Sequence, residues 1–547
     1  MHFFRYALVA VLLVLFGVAV YQTLVWRGLF GNRTETPVKP LDWADQEIAL
    51  IEPATSTDDW GRIVTAIRLI EKDWSRLNPS LPALRLELDD AFPPLTADIP
   101  EVALYFADTP NQKLRLRWYK ISGENEASSW VAKLHARSRP PLAIIGGGTS
   151  GRAVKLADVL ARTYPDPSQT SPVFLITTAT SERTTSGRSL IDIYGQRTFR
   201  FSFTNQKMVE ALLAFVGHRE FPEKEKEWAQ GLWVHKQAES IPTNAPPARM
   251  FTVTWEDERY SQDMNELFAS EFKTRYPKGE FIPEGNITSS SGGFFQPTAQ
   301  EQTAVDGFLQ RRAPVMPHSL LVLPTQTVRM RRFLLHLRQR SVQDARNLVI
   351  FNGDAVSFHS IYRDREVMWN ILDLPYSLIF FSHRNPIDTG AGFRWTRNGR
   401  DDPKAFPQQT TTGTHDILLL RDLFESTLYA AFDAGQLLSD PLQVRDRLKA
   451  TAWYHPPADA KESPRVINPR VHRHAPPPPS LFDARGNRQS RTGEHIIWVK
   501  PTFTGDVVDL ESKISVWSVD PNGGVGVWRL VESSAASYIQ SRVEEVK

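Results

Sequence analysis

Short apolar runs alternate with stretches of helical period along this chain, in two successive series. The first series contains EIALIEP (47–53), WGRIVTAIRLIEKDW (60–74), a helix near 127–138, LAII (142–145), a helix from Arg152 to Tyr164 and VFLITT (173–178). LRLELDD and VALYFADTPNQKLRLRWYKI read as extended segments with a turn at Pro110-Asn111. The second series follows TFRFSFTN (198–205) and a helix over 206–216. It contains MFTVTW (250–255), LLVLPT (320–325), LVIFNG (348–353) and SLIFFSH (377–383), with helices over about 261–276, 299–311 and 328–340 between them. Such alternation specifies a mostly parallel sheet with helices on both faces, here expected twice. From 414 a long helix carries ILLLRDLFESTLYAAFDAGQLL, and KISVWSVDPNGGVGVWRLV (513–531) reads as a β-hairpin turning at Pro521 to Gly524.

Several function classes are disfavoured by composition. The 547 residues carry a formal net charge of +2, which gives no basis for nucleic-acid binding. Cysteine is absent, so disulfides, thiolate metal sites, cysteine nucleophiles and a lipidated cysteine are all excluded. Residues 7–26, ALVAVLLVLFGVAVYQTLVW, form an uncharged apolar run. Its length suits a bilayer span and exceeds a signal-peptide core. It is read as an uncleaved signal anchor (residues 1–30), followed by a stalk (31–44).

LAIIGGGTSGRAVKLADVL (142–160) places Gly146, Gly148 and Gly151 between a strand and a helix, in the spacing of the dinucleotide fingerprint. That fold wants an acidic residue at the end of the next strand. Here the strand ends in ITTATS, and Asp166 falls in a loop before it. No Gly-Lys-Ser/Thr follows, so a P-loop is excluded. Without a nucleotide, such a loop at a helix start still offers backbone N–H groups and a positive dipole end to an anion. Ser150 adds a hydroxyl, and Thr178, Ala179 and Thr180 follow the next strand. Two readings stay open on these residues: a carboxylate seat, or a tight turn whose hydroxyls cap helices.

The segment from Pro140 to Val216 resembles type I periplasmic binding proteins of the branched-chain amino acid class. It has a strand, a Gly/Ser loop, a helix, a strand ending in a small-small-Thr cluster, and then FR leading to a crossover. VTWEDERYSQDMNELFASEF, VIFNGDA, LYAAFDAGQLL and FDARGNR continue the resemblance, which covers roughly 45–535. It implies an α/β protein with two lobes, each a mostly parallel sheet flanked by helices. The first lobe would combine 45–203 with 385–478, and the second 204–384 with 479–547. Crossings near 203–206, 384–387 and 478–482 would form the hinge.

By the same resemblance, Ser150, Ala179 and Thr180, with Thr178 beside them, would hold a ligand α-carboxylate. Tyr260 would cover the ligand from the facing lobe, and Asp354 would pair with its ammonium. Where the family often has an aromatic residue after the strand LLVLP, this chain has Thr325, Gln326 and Thr327. The segment LDDAFPPLTADIPEVALYFADTPNQ has no recognised counterpart.

Other candidates read as structural. His472 and His474 beside the proline run Pro476–Pro479 suit a solvated loop, as do Glu87, Asp89 and Asp90. The stripe of Phe333, Leu334 and Leu337 in VRMRRFLLHLRQR suits a core-facing helix with a solvated cationic face. No nucleophile, base, metal or cofactor set supports an enzyme. The expected protein is a membrane-anchored binding module in the periplasm or extracytoplasmic space. It would close around a small polar molecule, an amino acid or a related carboxylate, and work with an ABC permease or a membrane sensor. A ligand-free interaction scaffold is the alternative, and an NAD-linked enzyme a weaker third.

Overall fold

The computed structural model describes residues 37–53, 57–88, 98–122, 126–181, 187–217, 221–229, 232, 249–288, 296–312, 319–340, 347–356, 375–383, 414–433, 435–454, 465–469, 479–489, 494–501, 514–519 and 528–530. The expected anchor at 7–26, the histidines 472 and 474, Asp89, Asp90, the crossing at 384–387 and the turn at 521–524 lie outside these residues. Among the described residues no helix is long and apolar enough to cross a membrane.

Two sheets organise the chain. The first holds β1 (Gln46–Pro53), β2 (Leu84–Leu88), β3 (Glu101–Phe106), β4 (Leu114–Ile121), β5 (Ala143–Gly146), β6 (Val173–Ile176) and β7 (Thr198–Arg200). Its order is β2-β3-β4-β1-β5-β6-β7. The five strands from β4 to β7 are parallel, and β2 and β3 add an antiparallel hairpin at the edge. The segment without a recognised counterpart, from Leu88 to Gln112, therefore supplies the edge strand β3. Taken in chain order, the parallel strands run 2-1-3-4-5, the flavodoxin-like order.

The second sheet holds β8 (Arg249–Trp255), β9 (Glu280–Ile287), β10 (Ser319–Val322), β11 (Leu348–Phe351) and β12 (Ser377–Ser382). These five are again parallel and again in the order 2-1-3-4-5. The late strands β17 (His495–Val499), β18 (Ile514–Val519) and β19 (Trp528–Leu530) extend it antiparallel from β12. The chain thus returns to this sheet more than a hundred residues after β12. Short pairs β13 (Phe432–Asp433) with β14 (Gln436–Leu437), and β15 (Ala452–Tyr454) with β16 (Arg465–Ile467), stand apart.

The helices cover both faces. Around the first sheet lie α1 (Thr57–Leu77), α2 (Ala127–His135), α3 (Ser150–Thr163) and α4 (Leu190–Ile193). The middle of the chain adds α5 (Asn205–Val216), α6 (Glu223–Ala229), α7 (Arg259–Arg275), α8 (Ala299–Arg312) and α9 (Thr327–Gln339), followed later by α10 (Thr414–Ala431) and α11 (Pro441–Lys449). The period of two in β1 sends Ile48 and Leu50 to one core, with Trp60, Ile67, Leu423 and Phe424 from α1 and α10. It sends Ala49 and Ile51 to the other, with Trp130, Leu156 and Leu160 from α2 and α3. Burial on both faces is why the strand reads as a continuous apolar run.

The structure differs from the sequence reading at several places. The helix from 414 ends at Ala431, and Phe432 and Asp433 pair antiparallel with Leu437 and Gln436. Gly435 at φ +88° takes a left-handed conformation that a continuing helix forbids. The cationic face of α9 is only partly solvated: Arg331 and Arg332 are 3% and 2% exposed. Arg332 is held by the buried Glu301 at 2.7 Å, and a partner of opposite charge is what permits such burial. The strands β9 and β17 had no place in the alternation. β9 carries Pro283 and Gly285, which mask its pattern. Glu87 sits on β2 and pairs with Lys113.

Candidate ligand cleft

The carboxyl ends of both parallel sheets face one cavity of about 590 Å3. From the first sheet come Glu52 at the end of β1, the glycine loop 148–152 after β5, and Thr177, Thr178 and Thr180 after β6. From the second come Asp257 to Tyr260 after β8, Gln326 after β10, and Asp354 and Ala355 after β11. Open parallel sheets bind ligands at such strand ends, beside the point where the strand order reverses. Those points are β1/β5 and β8/β10, and both border the cavity. Beneath the polar rim, Leu50, Ile63, Trp118, Ile145, Leu423 and Phe424 form an apolar wall between the first sheet, α1 and α10.

The glycine loop is built by close packing. Gly147 has φ +82°, and a Cβ there would lie 2.8 Å from Ala153 Cβ. Gly151 has open space around it, so the third glycine of the fingerprint does no packing work. Thr149 is the N-cap of α3, and its hydroxyl accepts from the Arg152 N–H at 3.4 Å.

The loop's inward N–H is already taken by the chain itself. Gly148 N–H donates to Glu52 Oε1 at 2.7 Å, and Arg152 Nη1 donates to Glu52 Oε2 at 3.0 Å. The Glu52 backbone is pinned too, since its carbonyl accepts from Trp118 Nε1 at 3.1 Å. Burial pushes the Glu52 carboxyl up, against the opposing pull of Gly148 and Arg152.

The residues singled out in the sequence sit as follows. Ser150, Thr178, Thr180, Tyr260 and Asp354 all line the cavity, while Ala179 is buried behind it at 1% exposure. Ser150 Oγ accepts from the Ser181 N–H at 3.3 Å, and Thr178 Oγ1 donates to the Gly148 carbonyl at 3.2 Å. The Thr180 carbonyl accepts from the Asn205 N–H. These hydroxyls and carbonyls tie the β5 and β6 loops to each other and to the start of α5.

Tyr260 and Asp354 both belong to the second sheet's loops and touch directly: the Asp354 N–H donates to the Tyr260 hydroxyl at 3.0 Å. Burial first, and then the Asp354 charge, push the Tyr260 phenol well above its ordinary value. Thr325, where the family often has an aromatic residue, is buried and donates through Oγ1 to Glu258 at 2.9 Å. Burial pushes the Glu258 carboxyl up, with Arg329 and Thr325 acting against it.

Glu52, Arg152 and His383 are site residues that the sequence reading missed. His383 Nε2 lies 2.7 Å from Asp354 Oδ2. Its Nδ1 accepts from the Phe203 N–H at 3.1 Å. Nδ1 is therefore the unprotonated nitrogen, and Nε2 donates to the carboxylate. Phe203 stacks on the imidazole at an interplanar angle of 7°, and the Arg488 guanidinium lies 4.7 Å from the Phe203 ring centre. Asp354 at the cavity is thus linked through His383 to Phe203, and through the Phe203 ring to Arg488. A carboxylate at a strand end and a histidine closing SLIFFSH were the only available signals, and neither has meaning before the strand order is known. Among the described residues no group of three potential ligands could hold a metal ion.

No protein-family model matches the chain, and no curated protein matches its sequence. Solved structures do align with it. An ABC transporter substrate-binding protein from Desulfitobacterium hafniense in complex with Leu shares 13% identity over 89% of this chain and 100% of that one, at a TM-score of 0.45. A leucine binding protein, LivK, from Thermotoga maritima shares 14% over 89% and 97%, at 0.46. A solute binding protein from R. palustris in complex with benzoate shares 12% over 90% and 98%, at 0.46. At these values the likeness bears on neither ligand nor mechanism, and the strand order is the firmer ground for the fold. With two sheets of order 2-1-3-4-5 meeting at their carboxyl ends, the chain is similar in layout to the type I periplasmic binding proteins.

Proposed function

We propose that this protein is an extracytoplasmic binding protein, held at the cytoplasmic membrane by residues 7–26, that closes two lobes around a small polar molecule. The lobes are 45–203 with 385–478 and 204–384 with 479–547. The ligand is an amino acid or a related carboxylate, and Asp354, beside Tyr260, receives the ammonium group of an amino acid. Closure serves ABC-type uptake or is read by a membrane sensor. What supports this reading is one observation: loops after three strands of each sheet contribute polar groups to the same cavity. A cavity that both sheets line is a cavity that a ligand can close, because contacts from both sides favour the closed state.

A second reading has its own observation. Gly148 N–H, Ser150 Oγ and Thr178 Oγ1 are engaged within the chain, as in a fold kept as an interaction scaffold. A thermal-shift screen of the full-length chain against amino acids, small carboxylates and amines separates the two. A ligand at 100 times its dissociation constant stabilises by about 2.7 kcal/mol. No stabilisation by any member of the three classes would favour the scaffold.

A further inference from the structure

We propose that Glu52 is a built-in occupant of the glycine loop's anion seat, and that the cleft therefore selects amines lacking a free carboxylate. The inference rests on the ligand-binding reading above and departs from it only on the ligand's carboxylate. Three contacts fix Glu52: Trp118 on its carbonyl, Gly148 N–H on Oε1 and Arg152 on Oε2. Both carboxylate oxygens are thus satisfied by donors of the glycine loop and the first turn of α3. A carboxylate attached to the chain reaches that seat without the loss of translational freedom that a free ligand bears, so a dilute ligand does not displace it. A second carboxylate placed beside it meets like-charge repulsion in a partly desolvated site.

The lining between Asp354 and the apolar wall suits a cation with an apolar body. Asp354 reaches the cavity from the facing side, fixed by His383 Nε2 on Oδ2 and by Tyr260 on its N–H. The wall of Leu50, Ile63, Trp118, Ile145, Leu423 and Phe424 offers no polar side-chain group except the Trp118 N–H, and that is spent on Glu52. An ammonium near Asp354 with an aliphatic or aromatic body on that wall matches these groups, whereas the glycine loop's Gly148 N–H and Arg152 Nη1 already serve Glu52.

The test is calorimetry on the full-length chain with three probes of one carbon skeleton: leucine, leucinamide and 3-methylbutan-1-amine. The aromatic set phenylalanine, phenylalaninamide and phenethylamine extends it. Wild type should bind the amide and the amine about 10- to 100-fold more tightly than the parent amino acid, the span of one charge-assisted contact. Glu52→Ala opens the seat, leaving Gly148 N–H and Arg152 to the ligand, and should reverse the order in favour of the amino acid. Glu52→Gln keeps the shape and the Gly148 bond, and should bring the two classes within a few-fold of each other. It covers the case in which the alanine variant does not fold. Amino acids binding wild type as tightly as their amides, with no change of ranking in either variant, overturn the role of Glu52 and leave the binding reading standing. No binding of any probe to any of the three proteins overturns both.

Discussion

Replacing Gly353 with alanine isolates how the second sheet holds Asp354. Gly353 lies between β11 and Asp354, and a Cβ there would overlap the Tyr260 hydroxyl oxygen. It would also lie 2.9 Å from Met264 Cε and 3.3 Å from Tyr260 Cζ. Gly353 is not among the residues of positive φ, so alanine brings no backbone strain and the effect is steric. Overpacking of this kind costs about 1–3 kcal/mol. Displacing the hydroxyl also breaks its bond with the Asp354 N–H, worth roughly 0.5–1.5 kcal/mol. The two together come to about 2–4 kcal/mol. For a unit of ~200 residues each kcal/mol moves Tm by about 2–4 °C, so Gly353→Ala should lower the melting temperature by roughly 4–16 °C.

Tyr260→Phe removes the overlapping oxygen. Alone it should cost about 1 kcal/mol for the lost hydrogen bond. With the phenol oxygen gone, the alanine at 353 meets only the ring edge and Met264. The double variant should therefore be less destabilised than the two singles summed, by at least ~1 kcal/mol. Thermal unfolding of the four proteins measures this coupling. Strict additivity, or an unchanged Tm for Gly353→Ala, would refute the argument that Tyr260 and Gly353 are fitted to each other.

Three other outcomes follow from the described contacts. Arg332→Met leaves Glu301 buried without its 2.7 Å partner and should cost about 3–5 kcal/mol, whereas pairing it with Glu301→Met should recover most of that in denaturant titrations. Burial pushes the Glu101 carboxyl up, but the hydrogen bond and charge of Arg117, with Lys39 and Arg115, outweigh it and hold the group below its ordinary 4.5. That stability is present above the ordinary value and lost as pH falls through the lowered one. Glu101→Gln should therefore flatten the acid limb of a stability–pH profile while lowering the neutral plateau. Finally, protease added to spheroplasts should digest the region beyond residue 44, and the mature protein should retain residues 7–26. A mature N-terminus after residue 20, or a protected domain, contradicts the anchored topology.

The sheets were legible in the sequence because burial on both faces leaves a strand no polar side. LAII, VFLI and SLLV needed only a helix on each face to be read as parallel strands. β9 was not legible, since Pro283, Gly285 and its exposed face break that pattern. The end of α10 was not either, because Gly435 acts through a backbone angle that an apolar periodicity does not register. The glycine loop was correctly placed at a strand-to-helix turn, but its Gly148 N–H is taken by Glu52. What fills it depends on β1 lying beside β5, although other strands and helices separate the two along the chain. Only that pairing brings Glu52 to Gly148. Likewise β11 beside β12 brings His383 to Asp354. The sequence by itself determined where most of the parallel strands and their following loops fall, because local periodicity is a short-range property. The tertiary structure decided which strand ends are neighbours, and so which charges in the cleft the protein satisfies on its own.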